Sequence, residues 1–384
     1  MGTTRDNSLA DRLRLFYEIA AHPGDYARQW KAKHRKKIVG YFCSYTPEEI
    51  ILAADALPFR IFNSGEKITN ADAHLQSYCC SLVRGALDDA LCGKFDFLSG
   101  AVFPHTCDAM QRLSDIWRLN TRFDVHLDVG LPAVLNTEQA RTYMIAVLKK
   151  FRQDLGHALE IEISMDRLLQ SVRTYNQIRS LLQKLQDVRK TNPKQLTAEN
   201  FHRILTAAMI MDRFELAQAL QDLVSHLDTK GIDAHRAGKT VVLAGGFYNM
   251  PAIHQTLERL GATVIAEDVC TGSRYFQGTI SLKGDVVKAI AARYLERINC
   301  PAKHAGLENR GRTIIPKVKE YQAHGVIFVY LKFCDPHAFD YPYIKKMLDD
   351  EGIPSVLIET EDPISSEGQF STRCEAFIEM LGDN

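Results

Sequence analysis

The chain has no excess of charge of either sign: Lys and Arg total 47, Asp and Glu total 47, and the formal net charge is zero. Without a bulk positive field there is no electrostatic drive toward nucleic acid or an anionic membrane surface. No run approaches the ~18 uncharged apolar residues of a membrane span. The first 14 residues carry Arg5, Asp6, Asp11 and Arg12 and lack the apolar stretch of a signal peptide. These absences predict a soluble, cytoplasmic protein with neither a membrane nor a nucleic-acid partner. Although there are nine cysteines, no C-x-x-C occurs, which argues against a zinc ribbon or a thioredoxin-like site. Disulfides are disfavoured in a reducing compartment. The thiols are then either small buried hydrophobes or soft-metal ligands drawn from distant segments. A working P-loop is also missing. Gly306-Leu-Glu-Asn-Arg-Gly-Arg-Thr313 has Arg312 where lysine is required and no strand before it, and Gly238-Lys-Thr240 precedes a strand instead of following one.

What is present is ordinary globular material. The 384 residues are 46% hydrophobic and 24% charged, enough for two or three domains at roughly 100–200 residues each. Residues 8–36 read as a basic, amphipathic helical entry. Apolar runs at Ile38–Cys43, Leu57–Phe62 and Phe97–Phe103 then alternate with helical stretches at 47–55, 77–91 and 108–117. From about Glu138 to Thr229 the apolar spacing changes to three and four, which predicts helices only. After Lys239 the alternation returns, with strands at Thr240–Gly246, Ala262–Ala266, Gly325–Leu331 and Ser355–Ile358. The pattern predicts an α/β fold: two doubly wound parallel-sheet domains facing a cleft, joined by a helical segment. The boundaries are 1–150, 151–237 and 238–384.

Four cysteines hold equivalent places on this plan. Cys43, Cys107, Cys270 and Cys334 each follow a strand by a few residues. That is the edge of an open α/β sheet where ligands bind. Cys80 opens a helix, and Cys300 closes the helix Gly284–Ile298. Thiolates are preferred by iron–sulfur clusters and soft metals; buried structural cysteine is the alternative for each. Cys79, Cys92 and Cys374 lack this placement. Gly245-Gly246, between a strand and a helix, reads as an anion nest or a tight turn. Thr271, Ser273 and Arg274 offer hydroxyls and a guanidinium suited to phosphate, thioester or cluster sulfide, or else cap a loop. His105 and His337 each lie within three residues of a strand-exit cysteine, placed to donate to a cluster, to protonate a substrate or to serve as structural hydrogen-bonding rings.

Several segments also carry a family resemblance. They are Tyr41-Phe-Cys-Ser-Tyr-Thr-Pro-Glu-Glu-Ile50 with Ala53–Pro58, Gln76–Cys80 with Arg84, and Phe103-Pro-His-Thr-Cys-Asp108 through Trp117. Asp268–Phe276, Asn299-Cys-Pro301, Lys332-Phe-Cys-Asp-Pro336 and Gln369–Arg373 complete the set. In order along nearly the whole chain, these resemble the 2-hydroxyacyl-CoA dehydratase and benzoyl-CoA reductase family. The resemblance implies an oxygen-sensitive iron–sulfur subunit acting on an acyl-CoA substrate, with a second subunit of the same family as partner. It implies a separate ATP-hydrolysing iron–sulfur activator that supplies a low-potential electron. It assigns a four-iron four-sulfur cubane to Cys80, Cys107 and Cys334, with Cys79 an alternative for the first. Cys43, Cys270 and Cys300 match the extra positions of a branch with a double-cubane cluster of eight irons. Ring reduction of the benzoyl-CoA reductase type is the activity expected. Dehydration of a 2-hydroxyacyl-CoA, or double-cubane reduction of small molecules, is the alternative.

Overall fold

The computed structural model describes residues 8–227, 238–297, 300–303, 305–361 and 367–382. The first seven residues, the 228–237 end of the expected helical segment, Ile298 at the end of the helix expected before Cys300, and Asn299 of the Asn299-Cys-Pro301 motif lie outside them. The first part holds α1 (Leu9–Ala21), α2 (Pro23–His34), β1 (Ile38–Tyr41), α3 (Glu48–Ala53), β2 (Leu57–Arg60), α4 (Ser81–Leu91), β3 (Gly100–Pro104), α5 (Asp108–Asn120) and β4 (Val125–Val129). Helices alone follow: α6 (Glu138–Ala158), α7 (Met165–Thr191), α8 (Ala198–Ala208) and α9 (Arg213–His226). The last part holds β5 (Lys239–Gly245), α10 (Pro251–Arg259), β6 (Ala262–Asp268), α11 (Ser273–Phe276), α12 (Val286–Glu296), α13 (Asn309–Tyr321), β7 (Gly325–Leu331), α14 (Asp335–Asp350), β8 (Ser355–Thr360) and α15 (Glu367–Met380).

The strands form two separate four-stranded sheets, ordered β2-β1-β3-β4 and β6-β5-β7-β8. Every pairing is parallel. This is the expected doubly wound α/β fold, with the same strand order in both sheets. In each the order reverses beside the central strand, between β1 and β3 and between β5 and β7. The crevice at the carboxyl ends of those pairs is where such sheets bind ligands. β4 is the strand that the sequence reading does not anticipate. Val125, Leu127 and Val129 alternate with His126 and Asp128, the period of a half-covered strand, and β4 lies at an edge, paired only with β3. The single helical entry expected over 8–36 is two helices. His22 leaves helical backbone at φ −128°, ψ 57°, and Pro23 restarts the helix at its first position, where the missing N–H removes no hydrogen bond.

α12 belongs to the last part of the chain but packs on the first sheet. Its Val287, Ile290, Ala291 and Tyr294 share one core with Val39 and Tyr41 of β1 and with Met144, Leu148 and Phe151 of α6. This crossing carries Cys300, four residues beyond α12, to the N-terminal sheet. It is fixed by a buried polar knot. Glu48 accepts from Tyr175 at 3.1 Å and Arg213 at 2.9 Å. Glu49 accepts from Arg179 of α7 and from Tyr294 of α12, the latter at 3.0 Å. Burial would raise the Glu49 carboxyl, but Arg179 and Arg293 override it and hold it low.

A second buried cluster has the opposite character. His202 and His254 are fully buried with ring centroids 5.2 Å apart, beside Tyr248, Glu267 and Arg189. Among the described residues, both ring nitrogens of His202 and Nδ1 of His254 find no hydrogen-bond partner. Burial, then Arg203 and Arg189, pulls His202 down to about 3; burial, then His202 and Arg189, pulls His254 well below its ordinary value. Both rings are therefore neutral when folded but bind protons near pH 6.5 when unfolded. Their contribution is fully present above that pH and is lost as pH falls toward 3. The unfolding free energy from urea titrations should drop across this window, by up to about 1.4 kcal/mol per pH unit for each ring, and His202→Phe should flatten the slope. Equal slopes in wild type and variant would contradict the neutral buried ring.

Candidate functional site

Cys80, Cys107 and Cys334 occupy the N-cap positions of α4, α5 and α14. Those helices begin where the chain leaves the first sheet's loops, β3 and β7, so three helix N-termini meet at one place. A thiol there lies at the first-turn amides and the positive end of the helix dipole, both of which favour its anion. Burial nevertheless raises all three, Cys80 to about 12. Neighbouring thiols add to this, Cys107 acting on Cys80, and Cys80 and Cys107 on Cys334; first-turn amides, such as those of Val83, Met110 and His337, act against it. The loop before Cys80 is tied down by Asp88, whose carboxylate accepts from the amides of Thr69 and Ala71, each at 2.9 Å. Cys334 is aimed by Phe333, whose φ of 62° is a left-handed conformation disfavoured by roughly 1–2 kcal/mol in residues other than glycine.

The three thiols line a cleft of about 630 Å³. Tyr78, Asp108 and Arg112 line it from one side, and Lys303, Arg310, Phe333 and Phe339 from the other. Behind it is a small compartment of about 20 Å³ lined by Cys43, Cys270 and Cys300 with Ser44, Tyr45, Arg274, Gln277 and Arg297. Cys300 lines both spaces. Burial, followed by Cys270 and Cys43, pushes Cys300 up to about 12. The two trios are within electrostatic reach of one another: Cys43 raises Cys107, and Cys270 raises Cys334.

Main-chain ties hold the inner trio. The Ser44 hydroxyl donates to the Cys270 carbonyl at 3.2 Å, and Arg297 donates to the Ser44 carbonyl at 2.7 Å and also to that of Arg274. The Tyr45 hydroxyl donates to the Arg297 carbonyl. Arg274 lies 3.7 Å from Cys270 Sγ, its guanidinium gripped by the Asp268 carboxylate at 3.1 and 2.7 Å. Burial alone would raise Asp268, but Arg274, Lys317 and Arg310 hold it far below the usual carboxylate range.

The other residues singled out from sequence fall in different places. His337 is buried with Nδ1 3.2 Å from Cys334 Sγ and Nε2 3.1 Å from the Gly245 carbonyl. Burial, then Arg310 and Arg274, holds its pKa well below the ordinary value. A neutral ring that donates from Nε2 presents Nδ1 as an acceptor to the thiol. The His105 ring instead pairs with exposed Asp128 at 3.0 Å, away from the cleft lining. The Thr271 and Ser273 hydroxyls donate to the carbonyls of Tyr248 and Glu267 at 2.7 and 2.6 Å. Gly245 and Gly246 are buried under neighbouring chain: a Cβ on Gly245 would stand 2.1 Å from the Val329 carbonyl oxygen, and one on Gly246 3.0 Å from the His337 ring. Cys79 lines the cleft beside Cys80, whereas Cys92 is exposed and Cys374 is buried elsewhere on α15. The sequence reading passes over Lys303, Arg297 and Ser44. Their only signal is adjacency to a cysteine in a turn.

Among the described residues, no group of three His, Cys, Asp or Glu is arranged to hold a single metal ion, and no helix is long and apolar enough to cross a membrane. Two facing doubly wound sheets with thiols at their carboxyl edges define the class. The chain belongs to the family of the 2-hydroxyglutaryl-CoA dehydratase D-component, whose family model matches residues 43–381. It is 25% identical over 367 residues to the beta chain of the (R)-phenyllactyl-CoA dehydratase of Clostridium sporogenes, covering 95% of this chain and 97% of that one. It is 28% identical over 339 residues to one of the subunits of the benzoyl-CoA reductase of Thauera aromatica, covering 86% and 87%. It is also 28% identical over 389 residues to the beta chain of the (R)-2-hydroxyglutaryl-CoA dehydratase of Acidaminococcus fermentans, covering 96% and 98%.

The charge geometry separates a structural carboxylate from a surface one. Asp268→Asn leaves three cations facing a lost counter-charge and should reduce unfolding free energy by about 3–5 kcal/mol. Asp128→Asn, at the exposed His105 pair, should change it by about 1 kcal/mol or less. Equal losses in denaturant titrations would contradict this ranking.

Proposed function

We propose that this chain is the iron–sulfur subunit of an ATP-dependent, low-potential reductase acting on an acyl-CoA thioester, of the benzoyl-CoA reductase type. The observation that carries the reading is the gathering of six thiols from both sheets into two adjoining compartments. The outer trio suits a four-iron cubane in donor chemistry and in space, with three helix N-termini to offset its negative charge. The inner trio suits a second cubane in donor chemistry. Its volume takes about one water, so Tyr45, Gln277 and Arg297 would have to give way. When bound, such a cluster supplies the low-potential electron that no side chain can carry.

The protein's own part is to exclude water, hold the thiols and present charge. The cleft has room for the thioester end of a substrate beside Cys80, Cys107 and Cys334, and His337 fixes Cys334 from behind. In this reading the electron comes from a separate ATP-hydrolysing iron–sulfur activator, and a second subunit of the same family completes the enzyme; relatives named as subunits support that pairing. The second reading is a 2-hydroxyacyl-CoA dehydratase subunit, favoured by the relatives named as dehydratases.

Anaerobically purified protein tests the site. Two cubanes give about eight irons with matching sulfide, and one gives about four. Cys80→Ser, Cys107→Ser and Cys334→Ser should each weaken or abolish the EPR signal of the reduced protein. Cys43→Ser, Cys270→Ser and Cys300→Ser should each remove roughly half of the iron. Wild-type iron in all three of the latter would leave only the outer cluster, and iron-free wild type would end the reading. Assays with activator and ATP then separate consumption of benzoyl-CoA from dehydration of a 2-hydroxyacyl-CoA.

A further inference from the structure

Lys303 is a buried cation with no carboxylate partner among the described residues. Its Nζ donates to the His105 carbonyl at 3.0 Å. His105 lies two residues before Cys107, in the turn between β3 and α5. The Lys303 amide donates to the Cys300 carbonyl at 3.0 Å, closing the turn that begins at Cys300. The side chain therefore bridges one turn of the outer trio and one of the inner trio, across the space between the two sheets. Lys303 lines the cleft together with Cys107 and Cys300; burial pulls its pKa below the ordinary lysine value, and Cys300, Cys43 and Cys107 act against that.

A buried ammonium requires a counter-charge, and an unpaired one is strongly disfavoured. Among the described residues, the groups that favour a charged Lys303 are thiols from both trios. Arg274 and Arg297 do not hold this position. Each donates to main-chain carbonyls on the inner side, and Arg274 is already neutralised by Asp268. Lys303 lies between the two sets, whereas Arg60 acts on Cys43 and Arg310 lines the outer cleft.

We propose that Lys303 is the counter-ion of the whole six-thiol centre, a positioning residue whose fixed charge between the trios sets how readily a bound cluster accepts an electron. This rests on the iron–sulfur reading above. A cluster held by thiolates gains negative charge on reduction, and a nearby cation stabilises the reduced form more than the oxidised one. Removing the charge should make the centre harder to reduce.

Three substitutions separate charge from scaffolding. Lys303→Met removes both the charge and the hydrogen bond. Lys303→Gln keeps a donor for the His105 carbonyl without the charge. Lys303→Arg keeps both. Each purified holoprotein is measured for iron, for its thermal melt, and by an EPR-monitored reductive titration with europium(II) chelates. The midpoint potential should shift to more negative values in the Gln and Met variants, at wild-type iron content in Gln, and stay near wild type in Arg. If Met loses iron, the Gln and Arg pair still decides. A Gln variant that titrates with wild type overturns the proposal, whether or not Met shifts, because the role is then scaffolding alone. A wild-type protein without iron overturns the iron–sulfur reading itself, and this inference with it.

Discussion

The arrangement depends on two adjacent carboxylates buried where three parts of the chain meet. Glu48 and Glu49 open the short helix that follows Cys43, and both are buried. Arg179 and Tyr175 reach them from α7, Arg213 from the start of α9, and Tyr294 from α12. Buried carboxylates tolerate few arrangements, because each oxygen must be met by a donor and each charge by a counter-charge. Meeting these demands fixes α12 against the first sheet. Fixing α12 places the Cys300 turn beside Cys43, and Arg297, just beyond α12, is then in reach of the Ser44 and Arg274 carbonyls. The inner thiol trio follows from this packing and not from any local motif.

The outer trio has a different origin. The two sheets share one strand order, and Cys107 and Cys334 hold corresponding positions, each past the third strand of that order and each capping the helix that follows. Cys80 reaches the same point from the long loop after β2. An anion at this place is favoured by three sets of helix amides, while the thiols in their neutral form are stabilised by burial. The site therefore presents soft donors that ionise readily only when a positive partner is present, as expected for ligands that give up protons on binding metal.

Much of this is legible in the sequence. Strand–helix alternation exposes the two sheets, and the cysteines at strand exits point to the carboxyl edge, because parallel sheets deliver those loops to one side. The strand β4 escapes that reading because His126 and Asp128 interrupt its apolar residues, although its alternation is visible. Glu48 and Glu49 read as ordinary acids at a helix start, since nothing local shows that Arg213 and Arg179, 165 and 130 residues away, will bury them. His105 and His337 look alike by distance from a cysteine. Only the fold turns one ring to exposed Asp128 and seals the other behind Cys334. Lys303 carries no signal beyond its turn, because its partner carbonyl lies 198 residues away.

As proposed, the two trios form one continuous iron–sulfur site spanning both sheets. A crystal structure of the anaerobically purified protein, with anomalous scattering collected at the iron edge, tests it most directly. Iron peaks are expected against Cys80, Cys107 and Cys334, with a second adjoining group against Cys43, Cys270 and Cys300. Bare sulfurs at all six positions, or iron bound elsewhere in the chain, would contradict it.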